Sequence, residues 1–235
     1  MGIDSFERAD LAALLLFIGV WIVFSHMTRG RVISRPSLTL LMNRERENWI
    51  RTMARRELRM IDTGIMMGLQ QGTAFFASSA LIALGGSFAL LQSSDTVLNL
   101  LADVPFAARP SRTAFEIKVI GMFIVLAYTF FKFGWAYRLF NYCSILIGAV
   151  PMIKDLPPED EDKLERAVER AVRLNVIAGR HFNSGLRGMF FTIAYLGWFA
   201  GPWVFMVTTL FILGVLVRRQ FFSEARRTLL ALRDP

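Results

Sequence analysis

From Thr63 to Ser94 the chain carries no Asp, Glu, Lys or Arg, and from Gly188 to Val217 it again carries none. Each run exceeds the roughly 20 residues a helix needs to cross a hydrocarbon core. Two further stretches approach that length: Leu11 to Thr28, and Ala114 to Tyr137, the latter interrupted by Glu116, Lys118 and Lys132. A chain of 235 residues that is 54% hydrophobic and 20% charged does not have a soluble composition. The expected fold class is all-α: a polytopic transmembrane helical bundle of four to five spans with cytoplasmic amphipathic helices, forming a single membrane domain over residues 1–235. A disulfide scaffold is excluded because Cys143 is the lone cysteine, and disorder because 13% of residues are aromatic. Residues 1–10 bring three acids against Arg8, and no small-residue cleavage site follows, so the first run reads as an uncleaved span.

The last run is ambiguous at its centre, Gly197-Trp198-Phe199-Ala200-Gly201-Pro202-Trp203. A proline there either kinks one long helix or sits in a tight interfacial hairpin. With four crossings, Lys and Arg outside the spans divide 17 to 8 between the two sides; with five they divide 22 to 3. The positive-inside rule therefore favours two short helices, about 186–200 and 203–217, with the N-terminus outside and the C-terminus cytoplasmic. A re-entrant hairpin satisfies the charges equally well.

Three basic segments then fall on the cytoplasmic side. Residues 29–62 read as a basic amphipathic helix along the headgroups, with Ser37 as its cap. Residues 155–185 contain a soluble helix, Lys163 to Arg180, with acids in its first turn, arginines further on, and an apolar stripe of Leu164, Ala167, Val168, Ala171 and Val172. Residues 218–235 form a basic tail, and the uncharged stretch Leu139 to Ile153 reads as interfacial or re-entrant. The net charge of +8, from 23 Arg and 4 Lys gathered between apolar runs, points to anionic lipid at the cytoplasmic face rather than to nucleic acid. The acids at 159–162 lack the ligand spacing of a calcium loop.

No metal or cofactor is indicated, since His26, His181 and Cys143 stand apart and no phosphate loop, dinucleotide fingerprint or nucleophile elbow occurs. No stretch spells a catalytic site. Ionisable and amide groups within spans are the better candidates, because hydrocarbon tolerates them only when they are paired or wetted. Lys118 and Lys132 lie within about 40° of one helix face and about 21 Å apart along the axis, a spacing that suits either a shared pore or two opposite interfaces. Gln70 and Gln71 each need a partner at their depth. Gly64, Gly68 and Gly72 repeat every fourth residue and form a smooth face for close packing within the chain or between copies.

Several runs stand in a recognisable order: Asn43-Arg44, Trp49 and Met53; Phe75-Phe76-Ala77-Ser78-Ser79; Phe133, Trp135, Arg138, Asn141-Tyr142-Cys143, Gly148-Ala149 and Pro151; and His181-Phe182-Asn183, Gly185-Leu186-Arg187. Together, over about residues 30 to 220, they resemble the membrane family catalogued as domain of unknown function 599. The resemblance implies an integral membrane protein and carries no activity with it. Arg138, Asn141, Tyr142, Asn183 and Arg187 fall at predicted cytoplasmic helix ends, where they bind lipid phosphates, tie helices together or line a vestibule. The expectation is a multi-pass protein of the cell inner membrane, a homo-oligomer acting as a channel or transporter for ions or small solutes. The alternative is a non-transporting scaffold that binds a partner or anionic lipid through its basic helices.

Overall fold

A computed structural model describes residues 8–30, 35–102, 111–155, 157 and 160–231. In chain order these form α1 (Arg8–Met27), α2 (Leu38–Ala54), α3 (Met60–Gln92), α4 (Ser94–Ala102), α5 (Arg112–Gly148), α6 (Glu161–Ala200), α7 (Pro202–Phe221) and α8 (Glu224–Ala231). A 3-10 turn, Ile153–Asp155, lies between α5 and α6, and no strand occurs among the described residues. Four helical stretches are long and apolar enough to cross a membrane: Arg8–Met27, Met60–Gln92, Arg112–Gly148 and Pro202–Ala231. The predicted all-α membrane class is therefore what forms. Residues 31–34 of the expected interfacial segment, Pro158 and Glu159 ahead of the soluble helix, and residues 232–235 of the tail lie outside the described residues.

The Gly-Pro centre of the last run is a hairpin. Gly201 adopts φ 140°, a value a side chain disfavours, and Pro202 opens α7 where its missing N–H costs nothing. The arms are antiparallel: Trp198 stacks on Phe205 with centroids 5.0 Å apart, Thr208 Oγ1 donates to the Ala194 carbonyl at 2.8 Å, and Arg219 covers the Phe190 ring. The single kinked helix is thereby set aside.

Two expected boundaries give way to longer helices. α5 runs past Tyr137 without a break to Gly148, so Leu139–Ile153 is not re-entrant; Leu139, Phe140, Cys143 and Ile147 are buried instead. Arg59 then donates to the Val150 carbonyl at 2.6 Å and the Pro151 carbonyl at 2.9 Å, closing the helix end. The soluble helix and the span that follows it are one 40-residue helix, α6. Nothing between Arg180 and Leu186 breaks it, because Gly179, Gly185 and Gly188 serve as clearances for Arg46, Phe133 and Thr129.

These lengths create two cores. Within the membrane bundle, Phe17, Phe24, Phe191, Trp198 and Phe205 pack with Met122 and Leu126. Beyond it, at the end where the basic segments gather, Ile50 and Met53 of α2 meet Phe140, Cys143, Val168 and Val172. The apolar face of α2 is thus buried against α5 and α6, and the helix is shorter than the expected 29–62 segment. Asn175, fully buried there, accepts from Arg46 at 2.7 Å and donates to Cys143 Sγ at 3.4 Å.

Candidate functional site

At the basic end a cavity of about 440 Å³ opens where α2, α5 and α6 meet the turn after α1. That turn supplies Thr28 and Arg29, the start of α2 Thr39, Leu40 and Asn43, and α5 Lys132. α6 contributes Ile177, Arg180, His181, Asn183, Ser184 and Arg187, most of them three or four residues apart and so on one face. The α1–α2 corner is held locally: Ser37 Oγ donates to the Thr28 carbonyl at 3.0 Å and accepts from the Leu40 amide, capping α2. Gln220 of α7 accepts from the Thr39 amide and hydroxyl at 3.2 and 3.1 Å. On α6, Arg187 donates to Ser184 Oγ at 2.8 Å, and that hydroxyl donates to the Arg180 carbonyl.

Among the described residues the lining holds four cations, Arg29, Lys132, Arg180 and Arg187, and no carboxylate. Among the described residues none of the four takes part in an ion pair. The opposite flank of the same layer differs, since Arg51 of α2 joins Glu47, Glu165 and Glu169. Lys132 lies over the Tyr128 ring at 5.2 Å. His181 Nδ1 is buried with no hydrogen-bond partner among the described residues. Burial, and next the charge of Lys132, hold the His181 imidazole below its ordinary pKa, so it is neutral at pH 7. Gathered cations that lack counter-charges repel one another, and a bound anion would offset that repulsion.

One to two turns further along α1, α5 and α6, Trp21, Tyr128 and Phe191 form a layer of rings in mutual contact. Trp21 stacks on Phe191 at 4.8 Å and meets Tyr128 edge-on at 5.5 Å. Beyond this layer sits Lys118, which does not share a cavity with Lys132. Its ammonium lies 3.4 Å from Asp10 and donates to the Trp198 carbonyl at 3.1 Å, while the Trp198 indole N–H donates to Asp10 at 2.6 Å. Lys132 lines the cavity and Lys118 does not.

The other candidates scatter. Gln70 donates to Ser144 Oγ at 2.9 Å, whereas Gln71 is exposed. Gly64 and Gly68 are exposed, Gly72 is half-buried, and a Cβ on any of the three would meet nothing within 4 Å among the described residues, so no described helix seats on that face. Arg138 donates to the Tyr142 hydroxyl at 2.6 Å on the exposed end of α5, and neither these two nor half-buried Asn141 lines the cavity. Asn183 and Arg187 do line it. Sequence reasoning passed over Arg29, Asn43, Arg180 and His181 as site residues and over Asp10 as a counter-ion. Asn43 and His181 stood in the runs that carried the family resemblance, whereas nothing local distinguishes Arg29 or Arg180 from other helix-end arginines.

The family described as "Protein of unknown function, DUF599" matches residues 12–225. The chain belongs to the DUF599 family. No curated protein and no solved structure matches it. Within this DUF599 chain, the Asn43 run and the His181–Arg187 run, far apart in sequence, meet in the one cavity.

Proposed function

We propose that this DUF599 protein is a self-associating carrier of small anions in the cell membrane, loaded from the cytoplasmic face through the cationic cavity. The observation that carries this reading is the set of four cations with no carboxylate among the described lining residues. A carrier suits the geometry better than an open channel, because the Trp21–Phe191 layer and the Asp10–Lys118 pair both stand between the cavity and the far end. The positive-inside rule supports a cytoplasmic basic end and an outer Gly201 hairpin. Exposed Gly64, Gly68, Gln71 and Phe75 along α3 support contact between copies, since an amide in hydrocarbon requires a partner.

The test is anion efflux from liposomes containing the purified protein. Paired replacement of Lys132 and Arg187 by Gln is expected to abolish efflux while leaving insertion intact; efflux equal to that of the unaltered protein would refute the carrier. The aromatic layer favours one second reading, a non-transporting scaffold that holds anionic lipid at its basic end. That reading predicts retention of anionic lipid through purification, lost in the same double variant, with no efflux at any stage.

A further inference from the structure

We infer that the cavity takes a phosphate monoester, bound by its terminal dianionic group with a small organic substituent beside it. The inference rests on the anion-binding reading and names its ligand class. Donors enter from three helices and a turn: Arg29 in the turn after α1, Asn43 on α2, Lys132 on α5, and Arg180, Asn183 and Arg187 on α6. A carboxylate offers only two oxygens, in one plane, and so meets donors from so many directions less completely. A terminal phosphate offers three oxygens in a tetrahedral array, and guanidinium forks match its edges bidentately while an ammonium acts as a point charge.

Charge and volume narrow the class further. Four cations around one anion leave repulsion that a monoanion or phosphodiester offsets less well than a dianion. The side chains of Arg29, Asn43, Arg180 and Asn183 have no hydrogen-bond or ion-pair partner among the described residues, so donors stand ready without first breaking internal bonds. A space of about 440 Å³ is of the size that holds small organic ligands, and Leu40 and Ile177 give it an apolar wall. His181, neutral and with an unpartnered ring nitrogen, can bond a hydroxyl on the organic part rather than add a fifth charge. Two sources carry this chemistry: a soluble phosphorylated metabolite, or a membrane lipid whose headgroup is a bare phosphate.

The full chain in phosphatidylcholine nanodiscs is titrated with glycerol 3-phosphate, dimethyl phosphate and succinate, and thermal melts are run with and without phosphatidic acid in the disc. Glycerol 3-phosphate is expected to bind at least about tenfold more tightly than the diester or the dicarboxylate. Arg187→Gln should weaken it by about tenfold or more, Arg187→Lys by less, and Arg166→Gln, on the exposed side of α6, not at all. If phosphatidic acid stabilises the protein and glycerol 3-phosphate does not, the source is lipid; the reverse result identifies a soluble ligand. Succinate or dimethyl phosphate binding as tightly as the monoester overturns the phosphate class while leaving an anion carrier standing. A folded protein that binds neither phosphate source also overturns it, and loss of all anion efflux alongside would bring down the carrier reading as well.

Discussion

Lys118 shows how one residue can look like a pore group in sequence and act as a fastening in three dimensions. Lys118 and Asp10 are both buried, and Trp198 serves each of them, its backbone carbonyl accepting from the ammonium and its indole N–H donating to the carboxylate. Replacing one partner strands the other charge, so Lys118→Met or Asp10→Asn should each destabilise the protein by about 3 kcal/mol in a detergent melt, and the double variant by clearly less than their sum. Equal and additive losses would show that the two groups act separately. Asp10 was legible only as an acid ahead of a span, because its partner stands more than a hundred residues away and no periodicity links them. His181 gives a second residue-scale expectation. Its pKa is lowered in the folded protein, chiefly by burial, so between the folded and ordinary values the unfolded chain binds more protons. Stability should hold above the ordinary histidine range and fall as pH drops through it toward the folded value. Melting temperatures across pH 5 to 8 test this, and His181→Gln should flatten the decline.

At the scale of elements, the glycines divide into two kinds that sequence cannot separate. Gly64, Gly68 and Gly72 form the regular repeat, yet among the described residues nothing would come within 4 Å of a Cβ on any of them. Gly185 lies in no such repeat, and a Cβ there would stand 2.7 Å from the Phe133 ring. Gly185→Leu should therefore cost about 1–3 kcal/mol, whereas Gly68→Leu should leave the monomer's melt within about 0.5 kcal/mol. If copies meet through α3, Gly68→Leu also shrinks the particle in mild detergent; an unchanged size would place that face against lipid. Element ends were readable where charge or proline marked them, as at Gly201-Pro202. They were misread at Arg138 and Arg180, where a charge marked the membrane surface but the helix continued into a second apolar core. Charge reports depth in the bilayer, and helix continuity depends on what packs beyond it.

For the whole molecule, α1, α3, α5, α6 and α7 run alternately along the bundle and leave the start of α1 and the end of α7 at opposite ends; if all five cross the membrane, the basic residues outside the spans divide 22 to 3. With buried Cys143 replaced by Ala, Trp203→Cys should react with an impermeant thiol reagent in intact cells and Glu224→Cys should not; labelling of Glu224→Cys would reverse the orientation. The unbroken length of α6 has a mechanical consequence. It is a rod of about 60 Å that carries the cavity arginines near its middle and the Trp198 clasp at its far tip. Such a rod pivots rather than bends, so a few degrees of tilt that close the mouth around a ligand would swing the tip away from Asp10. Opening at one end would then be geared to closing at the other, with no signal passing through side chains. Spin labels would register this as a fixed distance between positions 166 and 196 and, when ligand binds, a lengthened distance between positions 196 and 11.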